Sequence, residues 1–125
     1  MSVYVTKWFA RFARREGLHE ADLCAAVGRA EEGLIDADLG GGVIKQRIAR
    51  PREGKSGGYR SILAFRIKDR AIFVYGFAKN AKDNITRTEL ETLRALAREL
   101  FSYDAPKLTV AIKAGELKKV KCDDE

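Results

Sequence analysis

Between Val43 and Lys82 the chain carries eleven lysines and arginines against two acids, Glu53 and Asp69. Side chains of that kind bind phosphate. The planar fork of arginine grips two oxygens at once, and a lysine becomes a base where burial or neighbouring cations lower its pKa. Within this stretch "REGKSGGYRS" holds Gly54-Lys55-Ser56, the ending of a nucleotide-binding P-loop. The motif needs its first glycine where Ala49 stands, and Pro51 falls inside the loop. It also needs a following helix to turn its amides toward the phosphates, whereas a strand pattern follows. The mismatches direct attention to the basic side chains instead of a triphosphate cradle.

Three runs rich in β-branched and aromatic residues, Val43–Arg50, Tyr59–Lys68 and Ala71–Phe77, predict an antiparallel meander. A glycine-rich connection from Pro51 to Gly58 and a tighter turn at Asp69-Arg70 separate them. Residues two apart share a sheet face. If Arg50 pairs with Tyr59 and Asp69-Arg70 is a two-residue turn, Lys45, Arg47, Arg60 and Lys79 converge on one face with Ile62, Phe73, Tyr75 and Phe77. The other face then carries Ile44, Ile48, Leu63, Phe65, Ile67, Ile72 and Val74 and packs on helices. A register shift of two preserves this division, and a shift of one inverts it. Lysine and arginine also guard strand edges against aggregation. Convergence on one face favours a phosphate-binding concavity over that reading.

The elements that must carry this sheet are legible around it. Val3–Val5 reads as a first strand, and Thr6 caps a helix whose Trp8, Phe9, Phe12 and Ala13 share a face until Gly17. A second helix places Leu23, Ala26, Val27 and Ala30 together and ends near Gly33, giving an α-hairpin. Thr86-Arg87-Thr88-Glu89 is a capping box before an apolar stripe from Leu90 to Phe101. Asp104 caps a shorter helix closed by Gly115, and "ELKKV" adds an edge strand. The 125 residues fit one domain spanning 1–125. A net charge of +6 suits a polyanionic partner: nucleic acid, an acidic protein or a membrane surface. Cys24 and Cys122 form no disulfide framework and no zinc-ligand group, so a reducing, cytoplasmic setting is expected. The N-terminus lacks the apolar core of a signal peptide, and no stretch reaches transmembrane length.

The residues of the basic region also carry a resemblance. "GGGVIKQRIARPREGKSGGYRSILAFR" followed by "IFVYGFAKNAKDNIT", with "TKWFARFARREGL" and "GLIDADLGGG" upstream, resembles the RelE/HigB superfamily of bacterial toxins, in particular its HigB-like branch. The resemblance extends to about Lys119. It implies an α+β, RelE-like fold, with an N-terminal α-hairpin packed on a curved antiparallel sheet and C-terminal helices. It implies an mRNA endoribonuclease acting in the ribosomal A site without metal or other cofactor. It also implies a cognate antitoxin, a helix-turn-helix DNA-binding protein of the same operon. Arg60 matches the strand arginine that contacts the scissile phosphate. Lys45 and Arg47 match basic positions of the preceding strand, and Lys79 matches one after the next strand.

On that reading the RNA 2′-hydroxyl is the nucleophile, and Arg60 with Arg47 stabilises the transition state. Lys45 is the base, and Lys79 protonates the leaving oxygen or binds phosphate. Tyr75 packs in the core or stacks on a base, while Arg50, Arg52, Lys55, Arg66 and Lys82 grip mRNA or rRNA backbone. The tyrosine or histidine that many members use near the C-terminal end of the site has no counterpart, and His19 lies on the second helix. Two alternatives share the fold: a ParE-like inhibitor of DNA gyrase, and an inactive RNA- or protein-binding module.

Overall fold

In the computed structural model, which describes residues 1–49, 58–79 and 84–122, Thr6 ends strand β1 (Ser2–Thr6) and caps helix α1 (Lys7–Glu16). Its Oγ1 accepts from the Phe9 amide at 3.2 Å. Gly17 closes α1 at φ 72°, a left-handed turn that costs glycine little. Helix α2 (Glu20–Glu31) opens where the Asp22 carboxylate accepts from the His19 amide at 2.9 Å. Strands β2 (Ala37–Gly40), β3 (Val43–Ile48), β4 (Tyr59–Arg66) and β5 (Arg70–Ala78) follow, then α3 (Arg87–Phe101), α4 (Ala105–Lys113) and β6 (Leu117–Val120). The capping box of α3 is formed in both directions. Thr86 Oγ1 accepts from Glu89 N at 3.1 Å, and Glu89 Oε1 accepts from Thr86 N at 2.7 Å. Asp104 caps α4 through Lys107 N at 3.0 Å.

The sheet has the order β2-β3-β4-β5-β1-β6. The expected meander β3-β4-β5 is its antiparallel centre, β1 lies parallel to β5, and β2 and β6 form the edges. Helices cover both sides, an α+β architecture. Against α1 and α2 lie Ile44, Ile48, Leu63 and Phe73. Against α3 and α4 lie Val43, Ile62, Ala64, Ile72 and Val74.

Two details of register differ from expectation. Tyr59 pairs with Ile48 instead of Arg50, a shift of two that leaves the faces of β3 and β4 unchanged. The β4–β5 ladder runs Ile62↔Tyr75 and then Leu63↔Phe73, so Val74 is a bulge. The extra residue inverts the pleat of β5 on one side of it. Phe73 therefore enters the α1–α2 core, while Ile72 and Val74 face α3, the reverse of their expected sides. Lys79 lies beyond the end of β5, and Phe77, not Lys79, stands opposite Arg60. The turn also differs. Arg66 and Arg70 pair directly, Asp69 N donates to Arg66 O at 3.0 Å, and Ile67 is left 57% exposed instead of in the core.

The cysteines correct the sequence expectation more sharply. Cys24 on α2 and Cys122 after β6 form a disulfide, with Cα atoms 5.7 Å apart and a sequence separation of 98. The pairing of Val3 with Val120 brings the C-terminal segment alongside α2, which no spacing rule reveals. Among the described residues no helix is long and apolar enough to cross a membrane.

Candidate functional site

β3 presents its two cations because the residue between them is locked the other way. Gln46 is 1% exposed. Its Nε2 donates to Ala26 O and Leu34 O, both at 2.9 Å, and its Oε1 accepts from Asp36 N at 3.2 Å. Ser61 Oγ donates to Gln46 O at 2.7 Å, tying β4 to the same point. Arg29 of α2 donates to the Arg47 carbonyl. A buried amide with its partners in place fixes strand and rotamer together. The pleat then sends Lys45 and Arg47 to the α3 side, both half-buried.

Across the three central strands, Lys45–Ile62–Tyr75 form one row and Arg47–Arg60–Phe77 the next. Strand spacing and rise put the cationic Cα atoms within a patch of about 10 Å by 7 Å. α3 covers the same face farther along, where Leu93, Ala97 and Leu100 pack with Val43, Ala64 and Ile72. The Lys45 row lies at the margin of that cover, with Ile62 buried in it, and the Arg47–Arg60 row lies one pair farther along. Arg60 directly faces Arg47, and one buried nitrogen of Arg60, Nη1, has no hydrogen-bond partner. Gly58 packs against Arg47: a Cβ there would stand 3.2 Å from its Nε and 3.1 Å from Ile48 O. Lys79 is exposed beside this row, its amide donating to Gly58 O at 3.4 Å.

Aromatic rings border the patch. β1 pairs with β5 only as far as Phe73, so the end of β5 is open on that side and Trp8 reaches it from α1. Trp8 lies 4.9 Å from Tyr75 and stacks on Phe12 at 5.6 Å, and Tyr75 lies 6.0 Å from Phe77. Tyr75 also lines a groove of about 220 Å³ with Thr88, Glu89, Thr92 and Leu93 of α3.

The structure thus brings together Lys45, Arg47 and Arg60, with Lys79 and Tyr75 adjacent. It does not bring Arg66 to them. Arg66 is six residues along β4, about 20 Å away. Its guanidinium lies 4.4 Å from the Phe101 ring and pairs with Asp69 at 3.2 Å. Arg50, Arg52, Lys55 and Lys82 lie outside the described residues. His19 caps α2 on the opposite layer. Gln46, Gly58 and Trp8 were not legible as site residues in the sequence. Gln46 had a signal, a polar residue at a core-facing position of a strand.

A family model described as the RelE toxin of the RelE/RelB toxin–antitoxin system matches residues 1–120. The chain belongs to the RelE toxin family. As a RelE-family protein it is a toxin of a toxin–antitoxin system, a class whose partner is an antitoxin. No curated protein matches the toxin significantly. Its paired arginines, supported by Gln46 from behind and by Gly58 from the side, can bind an anion through two guanidinium groups at once.

Proposed function

We infer that this toxin is an mRNA endoribonuclease of the HigB-like branch, acting in the ribosomal A site in the cytoplasm. The observation that carries the reading is the Arg47–Arg60 pair on the α3 side of the sheet, both half-buried, with one buried nitrogen of Arg60 lacking a partner. The scissile phosphate of RNA supplies what that nitrogen lacks. As the 2′-hydroxyl attacks, the phosphoryl oxygens gain charge, and the two preorganised guanidiniums stabilise it. Lys45, two residues from Arg47 on the same face, takes the 2′-proton. Lys79, beside the patch, delivers a proton to the leaving 5′-oxygen. The nucleophile belongs to the substrate, so no carboxylate-held metal is required. Tyr75 and its neighbouring rings offer faces for an unstacked base. The cognate antitoxin is a helix-turn-helix protein of the same operon.

The test is induced expression with mapping of cleaved mRNA ends, with and without ribosomes. Arg60→Ala should lower cleavage by about 10²–10³-fold, the usual effect of removing one transition-state donor. Wild-type cleavage and toxicity in Arg60→Ala would sink the assignment. Toxicity with DNA damage and no mRNA cleavage would favour gyrase inhibition instead.

A further inference from the structure

A second cationic surface lies on the other side of the molecule, and the catalytic reading does not use it. Lys7, Arg11 and Arg14 fall at helical spacing along the outer stripe of α1. Lys118 faces them from β6, the outermost strand of the sheet, and Lys119 also lines the trough, on the side of the pleat that it shares with Tyr4. Between them runs a trough of about 430 Å³ that also touches Ile112, Gly115 and Leu117. A second hollow of about 220 Å³ shares Ala10, Arg14 and Lys118 with it and extends it to Leu18 and Leu23. All five cations are exposed, and none makes an ion pair among the described residues. Among the described residues lining either hollow the single acid is Glu20, and its carboxylate accepts from Lys121 N at 3.1 Å.

Like charges gathered without counter-charge repel one another, and an acidic partner relieves the repulsion. The floor decides which acidic partner fits. It is apolar, built from Ala10, Ala13, Leu18 and Leu117, with Ile112 38% exposed at its margin. No aromatic ring lines it on which a base could stack. A nucleic-acid backbone would leave that floor unused, whereas a peptide with apolar side chains on one face and carboxylates on its flanks would fill floor and rim together. The unpaired outer edge of β6 adds main-chain groups for such a segment.

We propose that the α1–β6 trough is the docking site for an acidic, amphipathic segment of the partner antitoxin. The proposal rests on family membership and is independent of the nuclease reading. Two double variants test it, Arg11→Glu/Arg14→Glu and Lys118→Glu/Lys119→Glu. Each is titrated calorimetrically with the antitoxin of the toxin's own operon at low and high salt, with circular dichroism and the thermal midpoint as folding controls. Both variants should bind at least about ten-fold more weakly than wild type. Wild-type affinity should fall with salt. Cleavage and toxicity in the absence of antitoxin should stay at the wild-type level, which separates loss of docking from failure of the nuclease assignment. Unchanged antitoxin affinity in both variants would overturn the proposal. So would loss of binding to a short single-stranded RNA with antitoxin affinity retained, which would make the trough a nucleic-acid surface.

Discussion

Arg60 stands directly opposite Arg47 on an antiparallel pair, an arrangement that opposes folding. A position kept for binding at the expense of stability should separate the two in mutants. Arg60→Met is expected to raise stability by about 0.5–1 kcal/mol while cleavage collapses, since the isolated like-charge pair is gone and its stem still packs. Urea unfolding alongside a cleavage assay checks both halves; a destabilised variant would mean that Arg60 is structural. Gly58 gives a finer probe. A methyl at 3.2 Å from Arg47 Nε forces the guanidinium to yield by a few tenths of an ångström. Gly58→Ala should therefore slow cleavage about ten-fold with a stability change under about 1 kcal/mol.

At the scale of the element, β3 depends on one buried amide. Gln46→Leu fits the volume but strands Leu34 O and Asp36 N and takes the second donor from Ala26 O, which keeps its bond within α2. The expected loss is about 2–4 kcal/mol, read as a lower urea midpoint with an unchanged slope, because each stranded group bears its own desolvation cost. The elements themselves were largely legible. Caps at Thr6, Thr86 and Asp104 marked helix starts, and β-branched runs marked β3, β4 and β5. β2 was not legible. Its "ADLG" has little strand propensity and exists because β3 offers it an edge. The face carrying Lys45, Arg47 and Arg60 was read from alternation alone, since the register error was an even number of residues. The side of Phe73 was misread because a bulge leaves no trace in alternation.

For the whole molecule, the Cys24–Cys122 bond closes nearly the entire chain into a loop. The chain-entropy argument gives such a loop up to about 4–5 kcal/mol of stabilisation. Reduction should lower the urea midpoint of the wild type and leave a Cys24→Ser/Cys122→Ser double variant untouched; equal response of both would mean the bond adds nothing. If the toxin acts on mRNA in the cytoplasm as proposed, it meets a reducing thiol pool, and the reduced protein is the form whose stability bears on toxicity. The bond was invisible in sequence because its two ends meet only after β1 and β6 have paired.

The bulge at Val74 has a consequence for how this chain tolerates length change. β5 is written in two phases, one on each side of a single unpaired residue. Deleting Val74 would leave Leu63↔Phe73 and Ile62↔Tyr75 as consecutive pairs of one regular ladder, whereas deleting Gly76 would act like a frameshift in the pleat. Phe77 would then take the glycine's place toward Phe9 and Phe12, where even a Cβ has no room, at 2.6 Å from Phe12 Cε2 and 2.9 Å from Phe9 Cε2. A loop can lose a residue and keep its meaning, but this strand can do so only at its bulge, and the phase change is what lets Phe73 feed an aromatic core while Tyr75 and Phe77 border a cationic face.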